Sequence, residues 1–287
     1  MAEGHLVVRW ARRLRSLVGQ PLVRVELPTR FAERAPGLVG QHVAEVASNG
    51  KHLLVHFSGG DVLHCHAMMF GSWQVGRPGM KLRKPPERVR VRLRTAEREA
   101  VFFNGPVAEL LTAEELAAHA RLNALGPDLL AEEFDRQEAW RRLQADPNRE
   151  IADAVLDQTI VAGIGNIYKS EGLFLAGIDP RTAAGALPRP VVDRLWRTLI
   201  PLMRKGITDR RMRTRPKPKE GEDHHHWVYR RRGLPCFRCG SKILRIVQGK
   251  MKRSTYWCPT CQSDEAVAGE DRPATRHTRQ RKLPGME

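Results

Sequence analysis

Cys236-Phe-Arg-Cys239 and Cys258-Pro-Thr-Cys261 form two Cys-x2-Cys pairs separated by 18 residues. Four thiolates on two tight knuckles make a tetrahedral site for a soft divalent cation, the pattern of a zinc ribbon. Sulfur fills every position and leaves none for water. The ion is therefore structural: one Zn2+ held by Cys236, Cys239, Cys258 and Cys261. Between the pairs, residues 243–247 and 254–257 read as two strands flanking a basic, glycine-containing turn. Residues 236–262 hold Arg238, Lys242, Arg245, Lys250, Lys252 and Arg253 and no acid. A metal-clamped hairpin with a cationic tip is suited to phosphates.

A second chemically suggestive stretch is Gly163-Ile164-Gly165-Asn166, between two helical patterns. The glycines allow close approach to a ligand, and the first amides of the following helix form an anion site. Such a turn alone more often serves packing. His224-His225-His226 cannot all face one ion and reads as solvated loop. Cys65, outside the metal spacing, reads as a small buried hydrophobe.

The whole chain supports a polyanionic partner. Its 287 residues carry 49 Lys and Arg against 32 Asp and Glu, a net charge of +17. Nucleic acid is the first partner this implies, and an anionic membrane surface the second. No apolar run approaches the roughly 20 residues of a membrane span, and the first residues lack a signal-peptide pattern. Metal-binding thiols belong in a reducing compartment, so the chain is expected inside the cell, in a bacterium in the cytoplasm with the nucleoid.

The elements that must carry these groups follow in order. Residues 5–18 have helical apolar spacing through Leu6, Trp10, Leu14 and Leu17, with arginines on the other face. A period of two takes over from Pro21 to about Glu99, at residues 22–25, 42–46, 52–57 and 89–93, as in an antiparallel sandwich. The arginines alternating within 88–94 fit a DNA groove and the wet face of a strand equally well. Thr112-Ala-Glu-Glu115 is a capping box that opens a helix ending by Gly126-Pro127. Residues 125–134 read as a linker. Helices follow at 136–144, 150–159, from the Gly-x-Gly turn to Gly177, and at 191–205. Residues 210–223 read as a flexible loop and those after Ser263 as a disordered tail.

In this order, Glu3-Gly4, Gly50-Lys51-His52-Leu53-Leu54, Ala67-Met68-Met69-Phe70-Gly71, Leu125-Gly126-Pro127-Asp128, Gly163-Ile164-Gly165-Asn166 and Arg253-Ser254-Thr255-Tyr256-Trp257-Cys258-Pro259 resemble the formamidopyrimidine-DNA glycosylase and endonuclease VIII family. The resemblance covers about residues 1–262. It implies a multidomain α+β fold: an N-terminal catalytic β-sandwich with flanking helices (1–121), a linker (122–135), a helix–two-turn–helix domain (136–227), a C-terminal zinc-ribbon β-hairpin (228–263), and a tail (264–287).

The family's chemistry is bifunctional: an N-terminal amine attacks C1′ of a damaged nucleotide, expels the base, and holds the sugar as a Schiff base while the strand is cut by elimination. Carried onto this chain, Ala2 offers the amine, Glu3 moves protons, and Lys51 fixes a phosphate beside the lesion. Asn166, Lys252 and Arg253 grip the backbone. Met68, Met69 and Phe70 fill the hole left by a flipped nucleotide. Taken singly, Glu3 reads as a solvated terminal acid, Lys51 as a strand-end lysine, and the Met68–Phe70 run as core.

The chain departs from the family's pattern in having Ala rather than Pro at position 2 and a ribbon loop about two residues longer. The purine-repair branch carries an Arg-Arg-Phe-Gly loop, where this chain has Phe102-Phe103-Asn104-Gly105-Pro106. That directs the resemblance to the endonuclease VIII-like branch and to oxidised pyrimidines. The implied partner is damaged DNA, double-stranded or partly single-stranded, bound by a monomer with no membrane association. A catalytically silent relative that binds damaged or abasic DNA, and a zinc-ribbon nucleic-acid factor without enzyme ancestry, are the competing readings.

Overall fold

The computed structural model describes residues 2–209, 212–216 and 224–263. Most of the expected 210–223 loop and the whole 264–287 tail lie outside them. Helix α1 (Gly4–Leu14) buries Trp10 and Leu14 of the stripe its spacing predicts together with Val7 and Ala11, while Leu6 is half-buried. The helix stops four residues earlier than that spacing suggests, where a 3-10 turn covers Arg15–Leu17.

Two antiparallel sheets follow. One has the order β1 (Arg24–Glu26), β6 (Val89–Arg94), β7 (Glu99–Phe103), β5 (Ser72–Gly76). The other has the order β2 (Val43–Asn49), β3 (His52–Phe57), β4 (Val62–His66), β8 (Val107–Leu111). Alternate residues of both, among them Leu53, Val55, Leu63, Cys65, Val91, Leu93 and Phe102, form one core with the apolar face of α1. Cys65 is buried there, and burial pushes its thiol far up. Arg92 bonds Glu26 at 3.1 Å and Glu99 at 2.5 Å. Its guanidinium is thus committed within the sheet, which settles the two readings of that arginine in favour of a strand face.

The Thr112–Glu115 capping box is present, with Glu115 N–H donating to Thr112 Oγ1 at 3.2 Å and Thr112 N–H to Glu115 Oε2 at 2.8 Å. The helix it opens is shorter than expected: α2 spans Ala113–Ala117, and a separate turn, α3 (Ala120–Asn123), is capped by the His119 ring.

The helical half comprises α4 (Arg136–Gln144), α5 (Ile151–Ala154), α6 (Asn166–Ala176) and α7 (Arg189–Thr208). The helix expected over 150–159 ends at Ala154. Asp157 Oδ1 takes the Thr159 N–H at 2.9 Å and its hydroxyl at 2.7 Å, a local turn that competes with helix continuation. Tyr168, Leu173, Val192, Leu195, Trp196, Leu199 and Met203 build the second core. Arg9 of α1 reaches across to this half: its Nε donates to the Ile207 carbonyl at 2.8 Å, and its guanidinium also meets the Gly206 and Asp209 carbonyls. A cation at the C-terminus of α7 suits the helix dipole.

The hairpin of β9 (Leu244–Gln248) and β10 (Arg253–Trp257) carries the cysteines, and β10 packs on α6. The chain therefore folds back so that both ends of the described sequence meet α6. No helix among the described residues is long and apolar enough to cross a membrane.

Candidate active site and DNA interface

The N-terminus enters a cleft where the sandwich, α6 and the hairpin converge. Ala2 is buried, and its N–H donates to the Met68 carbonyl at 3.3 Å. Gly4 N–H donates to the Gly163 carbonyl at 2.9 Å. Gly163 has φ +102°, a left-handed conformation for which glycine is suited. Gly165 is needed for space: a β-carbon there would sit 2.4 Å from Glu3 Cδ.

Glu3 explains that crowding. Its side chain is fully buried, and its carboxylate accepts from Ile167 N–H at 2.8 Å and Tyr168 N–H at 3.3 Å. The first turn of α6 is indeed an anion site. Its anion is the protein's own Glu3, a correction to the free ligand site suggested by the Gly-x-Gly turn. Burial raises the Glu3 carboxyl above its ordinary range, and the Lys51 charge and the two amides only partly offset it. The group is therefore poised to hold or release a proton closer to neutrality than a surface glutamate.

Lys51 lies half-buried on the tight turn between β2 and β3. Burial lowers its amine to about 8, and the Arg253 charge adds to this while Glu3 opposes it. The turn is fixed by Asp128, whose Oδ2 takes the Gly50 N–H at 2.9 Å. Residues 125–134 thus contribute a brace, which reading them as a linker concealed.

Met68, Met69 and Phe70 are not core: they are 47 %, 46 % and 71 % exposed. Their loop is strung between two anchors. Met68 N–H donates to His66 Nδ1 at 3.2 Å, while the Met68 carbonyl holds Ala2. Met68 itself has φ +48°, a conformation unusual for a residue with a β-carbon. An apolar loop anchored at Met68 and exposed beside a buried terminus has the shape to enter a duplex.

From the opposite side, the Arg253 guanidinium lies 3.9 Å from Met69 Sδ. Lys252, exposed at the hairpin turn with φ +49°, donates its backbone N–H to the Gly249 carbonyl at 3.0 Å, and its side chain makes no hydrogen bond or ion pair among the described residues. Asn166 points its amide at the Ser254 carbonyl, 2.9 Å away, leaving its buried Oδ1 without a partner. In this state Asn166 braces the hairpin strand.

Two further residues, in addition to Asp128, escaped the sequence reading. Lys169 is buried, its Nζ 3.2 Å from the same Ser254 carbonyl, and burial lowers its amine to about 7. Glu171 is buried and collects the N–H groups of Trp227, Val228 and Tyr229 at 2.7–2.8 Å, together with the Thr214 hydroxyl. It ties α6 to the segment leading into the ribbon. The available signal was two charges within the otherwise apolar run Ile167–Ala176. The histidine run takes part in this junction rather than standing free in solvent: His226 Nδ1 lies 3.1 Å from Thr214 Oγ1 and its ring packs edge-on to Tyr229.

The four cysteine sulfurs lie within 4.8 Å of one another, with Cys236–Cys261 at 3.9 Å and Cys239–Cys258 at 3.4 Å. Zinc about 2.3 Å from each sulfur sets tetrahedral edges of about 3.8 Å, so the four fit one structural ion. Its role is to hold the hairpin's shape.

Comparisons with known proteins agree with this geometry. Residues 1–107 match the family model of the formamidopyrimidine-DNA glycosylase N-terminal domain, residues 125–216 that of its H2TH domain, and residues 233–263 a zinc finger found in FPG and IleRS. A probable endonuclease 8 2 of Streptomyces coelicolor is 41% identical over 97% of this chain and 100% of its own. The DNA-(apurinic or apyrimidinic site) lyase Nei2 of Mycolicibacterium smegmatis is 35% identical over 92% and 99%. Among solved structures, formamidopyrimidine DNA glycosylase of Lactococcus lactis bound to DNA containing an abasic site superposes with a TM-score of 0.76, covering 92% of this chain and 100% of that one at 24% identity. The chain belongs to the formamidopyrimidine-DNA glycosylase and endonuclease 8 family.

Proposed function

We propose that this protein is a DNA repair glycosylase with abasic-site lyase activity, working through the α-amine of Ala2 once Met1 is removed. The observation that carries the reading is the convergence of the Ala2 backbone, the buried Glu3 carboxyl and the Lys51 amine beneath an exposed apolar loop. A silent binder has no use for a buried acid held at a helix N-terminus.

The chemistry follows from these groups. A neutral α-amine, with an ordinary pKa near about 8, attacks C1′ as the bond to the base breaks and its electron pair leaves with the base. The attacking nitrogen gives up a proton to the departing base, and Glu3 delivers one to the ring oxygen as the sugar opens to an imine. Once that imine is protonated, loss of a C2′ proton to a base expels the 3′ phosphate and cuts the strand. Lys51 and Arg253 fix the flanking phosphates electrostatically, joined by Lys252 at the hairpin turn. Asn166 approaches the same backbone from the helical turn. Met68, Met69 and Phe70 take the place of the flipped nucleotide.

The partner is damaged DNA in duplex or partly single-stranded form, acted on by a monomer inside the cell. Oxidised pyrimidines are the favoured lesion, because the β7–β8 turn, Asn104–Pro106, lacks the arginines of the purine-repair branch's loop. Lactococcus lactis Fpg has been solved with both Fapy-dG DNA and oxidised pyrimidine DNA, so the choice of lesion rests on this chain's own turn.

Incubation with an oligonucleotide carrying one abasic site tests the activity. Strand cleavage is expected; tight binding without cleavage would turn the reading to a silent relative.

A further inference from the structure

Outside the cleft, the sandwich carries a polar cluster that the reaction does not use. His64 and Glu109 are cross-strand partners on β4 and β8. They lie on the face opposite the core-facing Leu63, Cys65, Ala108 and Leu110. His119, the N-cap of α3, completes the group. Glu109 Oε2 lies 3.1 Å from His64 Nδ1 and 3.3 Å from His119 Nε2, and the three donor atoms all fall within 4.8 Å of one another. We propose that His64, Glu109 and His119 form a second metal site, for a divalent ion of the zinc class.

The spacing suits an ion as well as a hydrogen-bonded cluster: 3.1 Å and 3.3 Å lie at and just beyond the long end of N–H···O bonds, about 2.7–3.2 Å. Ligands about 2.0–2.1 Å from a tetrahedral zinc stand about 3.3 Å apart, which both contacts approach. Two imidazoles and a carboxylate are a recognised zinc donor set, and the fourth position has room. A cavity of about 220 Å³ lined by Glu109, His119, Ala120 and Arg121 opens onto the cluster.

Groups outside the three ligands are arranged as such a site requires. His64 Nε2 lies 2.8 Å from His52 Nδ1, and Arg30 donates to the other Glu109 oxygen, Oε1, at 3.0 Å. With the ion on His64 Nδ1, the remaining ring proton sits on Nε2 and donates to His52, which fixes the ring. As the ion enters, the proton on His64 Nδ1 is exchanged through solvent for one on Nε2, and that on His119 Nε2 for one on Nδ1. His119 then carries its proton on Nδ1, so the cap bond that Nδ1 accepts from Leu122 N–H at 3.2 Å is given up. That exchange, the neutral nitrogen ligands and the cationic Arg30 and Arg121 nearby make this site weaker than the four-thiolate ribbon. Its ion should be the first to leave on chelation.

The test is zinc content per folded chain, measured by plasma mass spectrometry after equilibration with Zn2+ and removal of excess. Wild type is expected to hold two ions, and H119N and E109Q one each. H119N keeps a helix cap through its own amide oxygen, so loss of its second ion cannot be put down to loss of α3. Added Zn2+ should raise the melting temperature of wild type that has lost only its weaker ion, and leave that of H119N unchanged. One ion per wild-type chain at saturating Zn2+, or two in H119N, would overturn the proposal.

Discussion

Glu3 Oε1 lies 2.8 Å from the backbone nitrogen of Ile167, 164 positions away. That bond seats a buried acid of the N-terminal sandwich, the one proposed to handle protons, on the first turn of a helix from the other half. The proposed active site therefore exists only while the two halves are docked. Glu3→Gln keeps an oxygen for the Ile167 amide but removes the ionisable proton. Base excision measured in single turnovers should fall by roughly 10²–10⁴, while binding to abasic DNA persists. Wild-type excision in the variant would remove Glu3 from the chemistry.

Lys51 gives a pH signature. Its amine is lowered to about 8, so it begins to lose its charge where a surface lysine keeps it. A DNA phosphate favours the charged form, so affinity should drop as pH rises through 8, and the drop should vanish in Lys51→Arg. The stability sign is the reverse. Between about 8 and 10.4 the unfolded chain binds the extra proton, so the burden of burying Lys51 is greatest below 8 and fades as pH rises. Equal affinity of wild type for abasic DNA at pH 7 and 9.5 would contradict the assignment.

The exposed loop makes a substrate-dependent prediction. Met69→Ala should slow action on duplex DNA far more than on single strands, where no stacked hole needs filling. The comparison is the ratio of single-turnover rates on the two substrates. An unchanged ratio would mean that Met69 serves the fold.

Arg253 should act on phosphate rather than on base identity. Arg253→Ala is expected to weaken binding to every lesion and sequence alike, and to reduce the slope of log affinity against log salt by roughly one. A shift in lesion preference at unchanged salt slope would refute this.

Much of this arrangement was legible in the sequence because it rests on local rules. Two Cys-x2-Cys pairs dictate a tetrahedral thiolate site, and the change from helical spacing to a period of two marks α1 giving way to the sandwich. The pairing of distant groups was not legible. The amides after Gly165 invited an anion, but the nearest acid in space, Glu3, sits at the other end of the chain. Lys169 and Glu171 look like a solvent face until α6 is seen buried on every side, and Asp128 looks like linker until Gly50 is found against it. His64 and Glu109 become neighbours only through the β4–β8 register. Each of these depends on tertiary contact, which no local period encodes.

The central claim is that the Ala2 amine forms the covalent intermediate. A primary amine gives an imine that must be protonated before elimination, so cleavage should be slower and more acid-favoured than with a secondary amine. The direct measurement is borohydride reduction of the protein mixed with abasic-site DNA, followed by digestion and mass spectrometry of the adduct. A stable cross-link on the α-nitrogen of Ala2, with Met1 absent, is the expected result. A cross-link on a lysine such as Lys51, or Met1 still attached in active protein, would contradict it.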